Sequence, residues 1–290
     1  ILTRNRKEKQ RQQRLWEIFS NLSDCPDTVA DEVLYWQQMT EEQSRVYELA
    51  YGRILELEQQ QKQSLQEQKE YEDYIEAWAH EIKIPLSLMT LVLENRREDM
   101  SAPVYEKMNY TNRRMQDYVT QMLYYARLKA VHKDYVMEMV SLEEVCEDVV
   151  EEYTEYVDAQ SIEWRVQVGK EQVLTDRKGL HFMLEQILNN ACKYKDAGKE
   201  TSYIEMTTVV EENRIWLQIK DNGLGAEEAE IPFLPDKGFT GKTVMGQAKA
   251  TGMGLYLVAQ MAKDLSLCVD IESKVGESFI IRIGFPVISR

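Results

Sequence analysis

What this sequence lacks bounds what it can be. It has four cysteines, Cys25, Cys146, Cys192 and Cys268. They stand far apart and form no C-x-x-C pair, which disfavours a zinc site or a disulfide framework and fits a reducing cytosol. No stretch is long and apolar enough to span a bilayer. Positive charge is short: 35 Lys and Arg stand against 50 Asp and Glu, a net charge of −15. That balance argues against a nucleic-acid partner, because a phosphate backbone would be repelled. There is no internal repeat. Histidine is scarcer still, with three in 290 residues. Hydrophobic residues make up 43%, enough to build cores, and the length suits two domains or one with a long extension.

One of the three histidines sits in an unusual setting, Ala79-His80-Glu81-Ile82-Lys83-Ile84-Pro85-Leu86. The surrounding sequence predicts one long helix over about 45–98. Apolar residues at Ile54, Leu57, Tyr71, Ile75, Trp78, Ile82 and Met89 follow an a/d seam, with polar Gln61, Ser64 and Gln68 also on it. His80 then falls at an f position, opposite the seam, exposed and free to react. A solvated surface histidine would show the same placement. Glu81 beside it, and Pro85 five residues on, which should bend or loosen the next turn, point to more than an inert surface.

A break follows at Asp99-Met100-Ser101-Ala102-Pro103, with Pro103 suited to a helix start. Val104, Met108, Thr111, Met115, Tyr118, Met122 and Tyr125 then repeat by four and three, a second seam. Two amphipathic helices joined by a short loop make a helical hairpin. One hairpin leaves its apolar stripe half covered, so two copies are expected to form a four-helix bundle in a homodimer. Residues 1 to about 50 read as short helices broken near Ser23-Asp24-Cys25-Pro26-Asp27. They begin with a basic cluster, Arg4, Arg6, Lys7, Lys9, Arg11 and Arg14. Such a cluster follows a transmembrane helix on its cytoplasmic side. With isoleucine first, the expectation is a fragment: the cytoplasmic portion of a cell-membrane protein whose membrane segments lie upstream of residue 1.

After about residue 131 the character changes. Helices are expected over 142–160, 178–195 and 252–264. Strands are expected over 162–168, 203–210, 215–220, 267–273 and 278–285. This is a mixed α/β layer with mainly antiparallel strands. Seven of the thirteen glycines lie between Gly223 and Gly254, a density that implies a mobile loop or a close backbone approach to a ligand. Asp221-Asn222-Gly223-Leu224-Gly225 ends a strand, and Thr251-Gly252-Met253-Gly254-Leu255 opens a helix, whose N-terminal amides favour a phosphate. Gly238-Phe239-Thr240-Gly241-Lys242-Thr243 is a near miss for a P-loop, since Asp236 stands where that loop needs glycine. On the preceding helix Glu185, Asn189 and Lys193 are four apart, with Asn190 and Tyr194 alongside. That face could hold a metal-bound triphosphate, Mg²⁺ preferring oxygen ligands, or could simply be solvated.

The order of these parts, over about residues 60–288, resembles a bacterial sensor histidine kinase. His80-Glu81-x-Lys83-x-Pro85 resembles the phosphoacceptor box, and Asn190-Ala191-x-Lys193-Tyr194 the N box. Asp221-x-Gly223-x-Gly225 and Gly252-x-Gly254-Leu255 resemble the two glycine boxes, and Phe233 and Phe239 stand where the aromatic box lies. Lys237-Gly238-Phe239-Thr240-Gly241 and Thr251-Gly252-Met253-Gly254-Leu255-Tyr256 are similar to the intramembrane-sensing kinases associated with peptide-antibiotic transporters. The pattern departs at Gln186, where the N box has its first asparagine, and at Ile84, where threonine or asparagine is common.

The resemblance implies three parts: a membrane-proximal helical linker over 1–59, a dimerisation and histidine phosphotransfer domain over 60–130, and a Bergerat-type α/β sandwich that binds ATP over 131–290. It implies that Asp221 accepts from the adenine amino group, that Asn190 ligates Mg²⁺, and that Lys193 and Tyr194 reach the phosphates. Gly252 and Gly254 would let the backbone close on the phosphates, Gly223 and Gly225 would belong to the same nucleotide-binding set, and 226–250 would form a lid. His80 would attack the γ-phosphate while Glu81 holds the proton of its other ring nitrogen. The implied partners are a second copy, a response regulator that takes the phosphoryl group on an aspartate, and an ABC transporter of the peptide-antibiotic type.

Overall fold

The computed structural model describes residues 41–130, 133, 135–211, 213–241 and 251–287. The expectations for residues 1–40, and for 242–250 of the lid, lie outside the described residues. The chain divides into two units, Ile1–Gln66 and Glu67–Arg290. In the first, the described residues are all helical, and Arg53 pairs with Glu56 one turn on at 2.9 Å, an exposed contact of small energetic weight. None of the helices among the described residues is long and apolar enough to cross a membrane.

The helix α1, Glu41–Asn95, runs across the division and continues through Pro85, which therefore does not end it. A 3₁₀ turn over Arg97–Asp99 leads to α2, Ala102–Lys129, which starts with Pro103 in its first turn. Within the second unit α1 and α2 lie antiparallel. Their mutual face buries Ala79, Leu86 and Val119, with Ile82 and Leu123 packed alongside. Near the closed end the face turns polar. Asn112 Nδ2 donates to Thr90 Oγ1 at 2.8 Å and Gln116 Nε2 donates to the same oxygen at 3.1 Å. Thr90 in turn donates to the Leu86 carbonyl at 3.1 Å, so the hydroxyl is fully used.

The predicted seams split between two faces. Ile75 and Ile82 turn inward, whereas Tyr71, Trp78, Met89, Val104, Met108, Met115 and Tyr118 stay exposed on the protomer. The physical reason is that a single hairpin gives each of its helices one neighbour, which covers one stripe. Ile75, Ala79, Leu86 and Leu93 form a buried stripe on α1, while Trp78, Met89, Val104, Met108 and Met115 stay exposed.

The α/β part contains β1 (Met137–Ser141), α3 (Leu142–Ala159), β2 (Ile162–Gln167), β3 (Gln172–Asp176), α4 (Arg177–Lys193), β4 (Ser202–Glu211), β5 (Arg214–Asp221), α5 (Gly254–Asp264), β6 (Cys268–Lys274) and β7 (Ser278–Pro286). Five strands form a sheet in the order β2-β4-β5-β7-β6, and β1 pairs with β3 in a separate two-stranded sheet. All neighbours are antiparallel except β2 and β4. Alternate residues of the central strands, Ile204 and Met206, Leu217 and Ile219, Ile281 and Ile283, are buried in one core with residues of α3, α4 and α5. The intervening positions carry polar groups such as Glu205, Lys220 and Arg282, so the layer is a two-layer sandwich. Two N-caps fix the helices. Ser141 accepts from the Glu144 amide at 3.4 Å to start α3, and Asp176 accepts from the Gly179 amide at 2.6 Å to start α4. Cys146, Cys192 and Cys268 are free thiols.

Candidate functional site

Sequence position alone does not bring the glycine segments together; β5, the end of α4 and the start of α5 do. Asp221 is the last residue of β5 and is buried at 8% exposure. The Gly223 amide donates to Asp221 Oδ1 at 2.8 Å, so the chain turns tightly over the carboxylate. Burial pushes the Asp221 carboxyl up to about 7, against the pull of the Gly223 amide and the Lys199 charge. Gly225 then adopts φ +66° with the Lys274 carbonyl 2.5 Å from where a Cβ would stand, a place only glycine fits.

The start of α5 is built in the same way. Gly252 has φ +63°, and a Cβ there would come within 2.4 Å of the Gly238 carbonyl carbon. The Gly238 amide donates to the Gly252 carbonyl at 3.0 Å, which ties the segment before α5 to the segment after β5. No side chain caps the N-terminus of α5. Gly254, its first residue, lies over α4, with its Cβ direction 3.4 Å from Gln186 Oε1 and 3.6 Å from Asn190 Nδ2.

These elements enclose a cavity of about 760 Å³. Its wall includes Asn190, Lys193, Tyr194, Asp221, Gly225, Gly252 and Gly254, seven of the ten residues singled out from sequence. Gly223 sits behind Asp221 and shapes the turn rather than the wall. His80 and Glu81 are exposed on α1 and are not in the wall among the described residues. Phe239 lines the cavity, and Phe233 packs beside it at 6.0 Å between ring centroids. Lys193 is half-buried, and its pKa is lowered by burial and by the nearby Arg114 charge. Burial raises the Tyr194 phenol.

One grouping made on helical spacing does not hold. Glu185 leaves the set formed by Asn189 and Lys193. It approaches His181 at 4.0 Å, and His181 approaches Glu152 of α3 at 3.4 Å. Burial, with the charges of Glu152 and Asp117 adding to it, pushes Glu185 up to about 7.

The far wall comes from α2, a placement that leaves no signal in residue order. Tyr110, Arg113, Arg114, Asp117, Tyr118 and Gln121 all line the cavity. The join is specific. Gln121 Nε2 donates to Gln186 Oε1 at 2.7 Å, and Asp117 accepts from the Asn189 side chain. Tyr124 stacks on Phe182 at 3.6 Å and 18°, and Lys237 donates to the Tyr125 hydroxyl at 2.6 Å.

The cavity fits a nucleotide on its own chemistry. It has a buried carboxylate at a strand end to accept an amino group and an uncapped helix N-terminus with glycines that admit a phosphate. A lysine and an asparagine stand on the wall between them. A two-layer sandwich carrying such a site, preceded by a helical hairpin, is the architecture of a kinase that uses an ATPase layer. Residues 175–287 match the family described as histidine kinase-, DNA gyrase B-, and HSP90-like ATPase. The sensor histidine kinase YxdK of Bacillus subtilis is 31% identical over 240 residues, covering 81% of this chain and 72% of the relative. The sensor protein BceS of Bacillus subtilis is 30% identical over 215 residues, 74% of this chain and 62% of the relative. The chain therefore belongs to the sensor histidine kinases, and it spans about 62% of the length of BceS. Among solved structures, full-length ShkA in complex with AMPPNP has a similar fold. It matches with a TM-score of 0.54 at 19% identity, covering 75% of this chain and 47% of that one.

Proposed function

We propose that the chain is the ATP-dependent kinase portion of a two-component sensor, which phosphorylates its own His80 and passes the phosphoryl group to an aspartate of a response regulator. The observation that carries this reading is the single cavity that gathers Asn190, Lys193, Tyr194, Asp221, Gly225, Gly252 and Gly254. Asp221 accepts from the adenine amino group, while the Gly223 turn holds the carboxylate in place. Asn190 supplies the oxygen for Mg²⁺, and Lys193 and Tyr194 bind the phosphates with the start of α5. Bound ATP supplies the γ-phosphoryl group. His80 forms the new P–N bond through one ring nitrogen as the bond to the ADP oxygen breaks, and Glu81 holds the proton of the other nitrogen. His80 lies outside the cavity wall, so transfer requires this histidine, or that of a second copy, to be brought to the cavity.

In this reading residues 60–130 form the dimerisation and phosphotransfer domain and 131–290 the ATP-binding domain, after a helical linker over 1–59. The exposed stripe of Trp78, Met89, Val104, Met108 and Met115 supports a homodimer through the hairpins. The basic run from Arg4 to Arg14 supports a place on the cytoplasmic side of a membrane. Likeness to the intramembrane-sensing kinases supports an ABC transporter of the peptide-antibiotic type as a further partner. Incubation with γ-labelled ATP and Mg²⁺, followed by mapping, tests the proposal. An acid-labile, base-stable label on His80 is expected; a label on another residue, or none, overturns it.

A further inference from the structure

The cavity has a cationic contribution from outside the sandwich. Arg114 projects from α2 into the wall that also carries Asn190 and Lys193. Its guanidinium is held by two aromatic neighbours. It donates to the Tyr118 hydroxyl and lies 5.3 Å from the Tyr118 ring centroid and 5.6 Å from that of Tyr110. Arg113, the adjacent residue, is held elsewhere, 5.2 Å from the ring centroid of Tyr156. Asp117 also lines the wall and feels both arginines. Arg114 and Lys193 are near enough for the arginine charge to disfavour the protonated amine. Burial and the arginine charge both disfavour the protonated amine of Lys193, and an anion bound beside the two cations favours it. A guanidinium braced by two phenol rings loses little rotamer freedom when it binds a phosphate, and its planar fork matches phosphate oxygens.

We propose that Arg114, a residue of the hairpin, binds the polyphosphate of the nucleotide in the cavity, so that nucleotide binding and docking of the hairpin on the sandwich strengthen each other. The inference rests on the nucleotide reading of the cavity given above. Linkage makes the effect reciprocal: if the Arg114 contact exists only when the two parts are docked, bound nucleotide favours the docked arrangement by the factor by which docking favours the nucleotide.

Titration calorimetry on the 290-residue chain tests this with three ligands, Mg-ATP, Mg-ADP and adenosine, against the wild type, Arg114→Gln and Arg114→Lys. Loss of a charge-assisted phosphate contact should weaken ATP and ADP about tenfold in Arg114→Gln. Adenosine, which has no phosphate, should bind as before, and Arg114→Lys, which keeps the charge but not the planar fork, should recover only part of the loss. Unchanged ATP affinity in Arg114→Gln, or an equal loss for ATP and adenosine, overturns the proposal, the second because it marks a merely structural role. A wild type that binds none of the three overturns the nucleotide reading itself. Asp221→Ala separates the two ends of the site, because it should weaken adenosine as well as ATP.

Discussion

Gln121 of α2 donates to Gln186 of α4 across 2.7 Å. Gln186 is the position at which this chain departs from the asparagine of the N box. The longer side chain, 3% exposed, reaches the hairpin with its carbonyl while remaining beneath Gly254. The departure and the docked hairpin are thus one arrangement. Gln186→Asn should shorten the reach by one methylene and loosen the docking. Faster amide exchange in α2 near Gln121, with the sheet unaffected, is the expected sign; unchanged exchange would show that the bond carries no weight.

His80→Gln should abolish phosphorylation yet leave ATP affinity intact. The histidine is exposed on α1, and the nucleotide cavity is walled by α2, α4, α5 and the loops around them. Calorimetry and radiolabelling on the same preparation check both halves.

Asp221 sets a pH dependence. Its carboxyl is raised from 3.8 to about 7 in the folded chain, chiefly by burial. A carboxyl with a raised folded pKa contributes stability that is full below the unfolded value and is lost as pH rises through the folded value. The nucleotide-free chain should therefore lose stability between about pH 4 and pH 7. Asp221→Asn should flatten that slope and be more stable than the wild type at pH 8, on the order of a few kcal/mol at most. ATP should respond in the opposite sense, binding the wild type more tightly as Asp221 ionises. Parallel denaturation profiles for the two proteins would count against the burial assigned to Asp221.

Met115→Glu should dissociate the proposed dimer without unfolding the protomer. Met115 is 44% exposed on the single hairpin, so a carboxylate there stays solvated in the monomer. In a four-helix bundle the same carboxylate would be buried without a partner, at several kcal/mol. Light scattering at micromolar concentration reads the outcome, with circular dichroism as the check on folding.

Ile84 bears on the reverse reaction. It lies one helical turn beyond His80, is 61% exposed, and carries no polar atom to orient a water. Weak phosphatase activity toward the phospho-regulator is expected, and Ile84→Thr should raise it while autophosphorylation changes little. Fast decay of phospho-regulator with the wild type, in the presence of ADP, would refute this.

Much of this fold could be read from residue order because it rests on local chemistry. Both long helices follow from periodicity, Pro103 marks the start of α2, and the strands β4 to β7 follow from alternation between turn residues. The pair β1 and β3 was missed because each spans five residues and pairs only with the other. The parallel partnership of β2 and β4 depends on a connection that passes through other elements, and short strands do not announce their neighbours. At the site, the glycine-rich turns and the face of α4 were legible because backbone geometry restricts which residues fit. Glu185 shares the spacing of Asn189 and Lys193, but spacing carries no sign of the neighbouring helix, whose Glu152 lies beside His181 and draws that cluster away from the cavity. Arg114, Asp117 and Gln121 carried no local signal, since they join the cavity only once the hairpin docks.

The polar knot at Thr90 has a mechanical consequence. Asn112 is 1% exposed, and its amide reaches the Thr90 hydroxyl between the two helices. An axial slip of α1 against α2 by one turn would carry that hydroxyl about 5.4 Å away and strand a buried amide, at about 1–3 kcal/mol. The Thr90 hydroxyl thus acts as a register pin, holding α1 and α2 against sliding past one another.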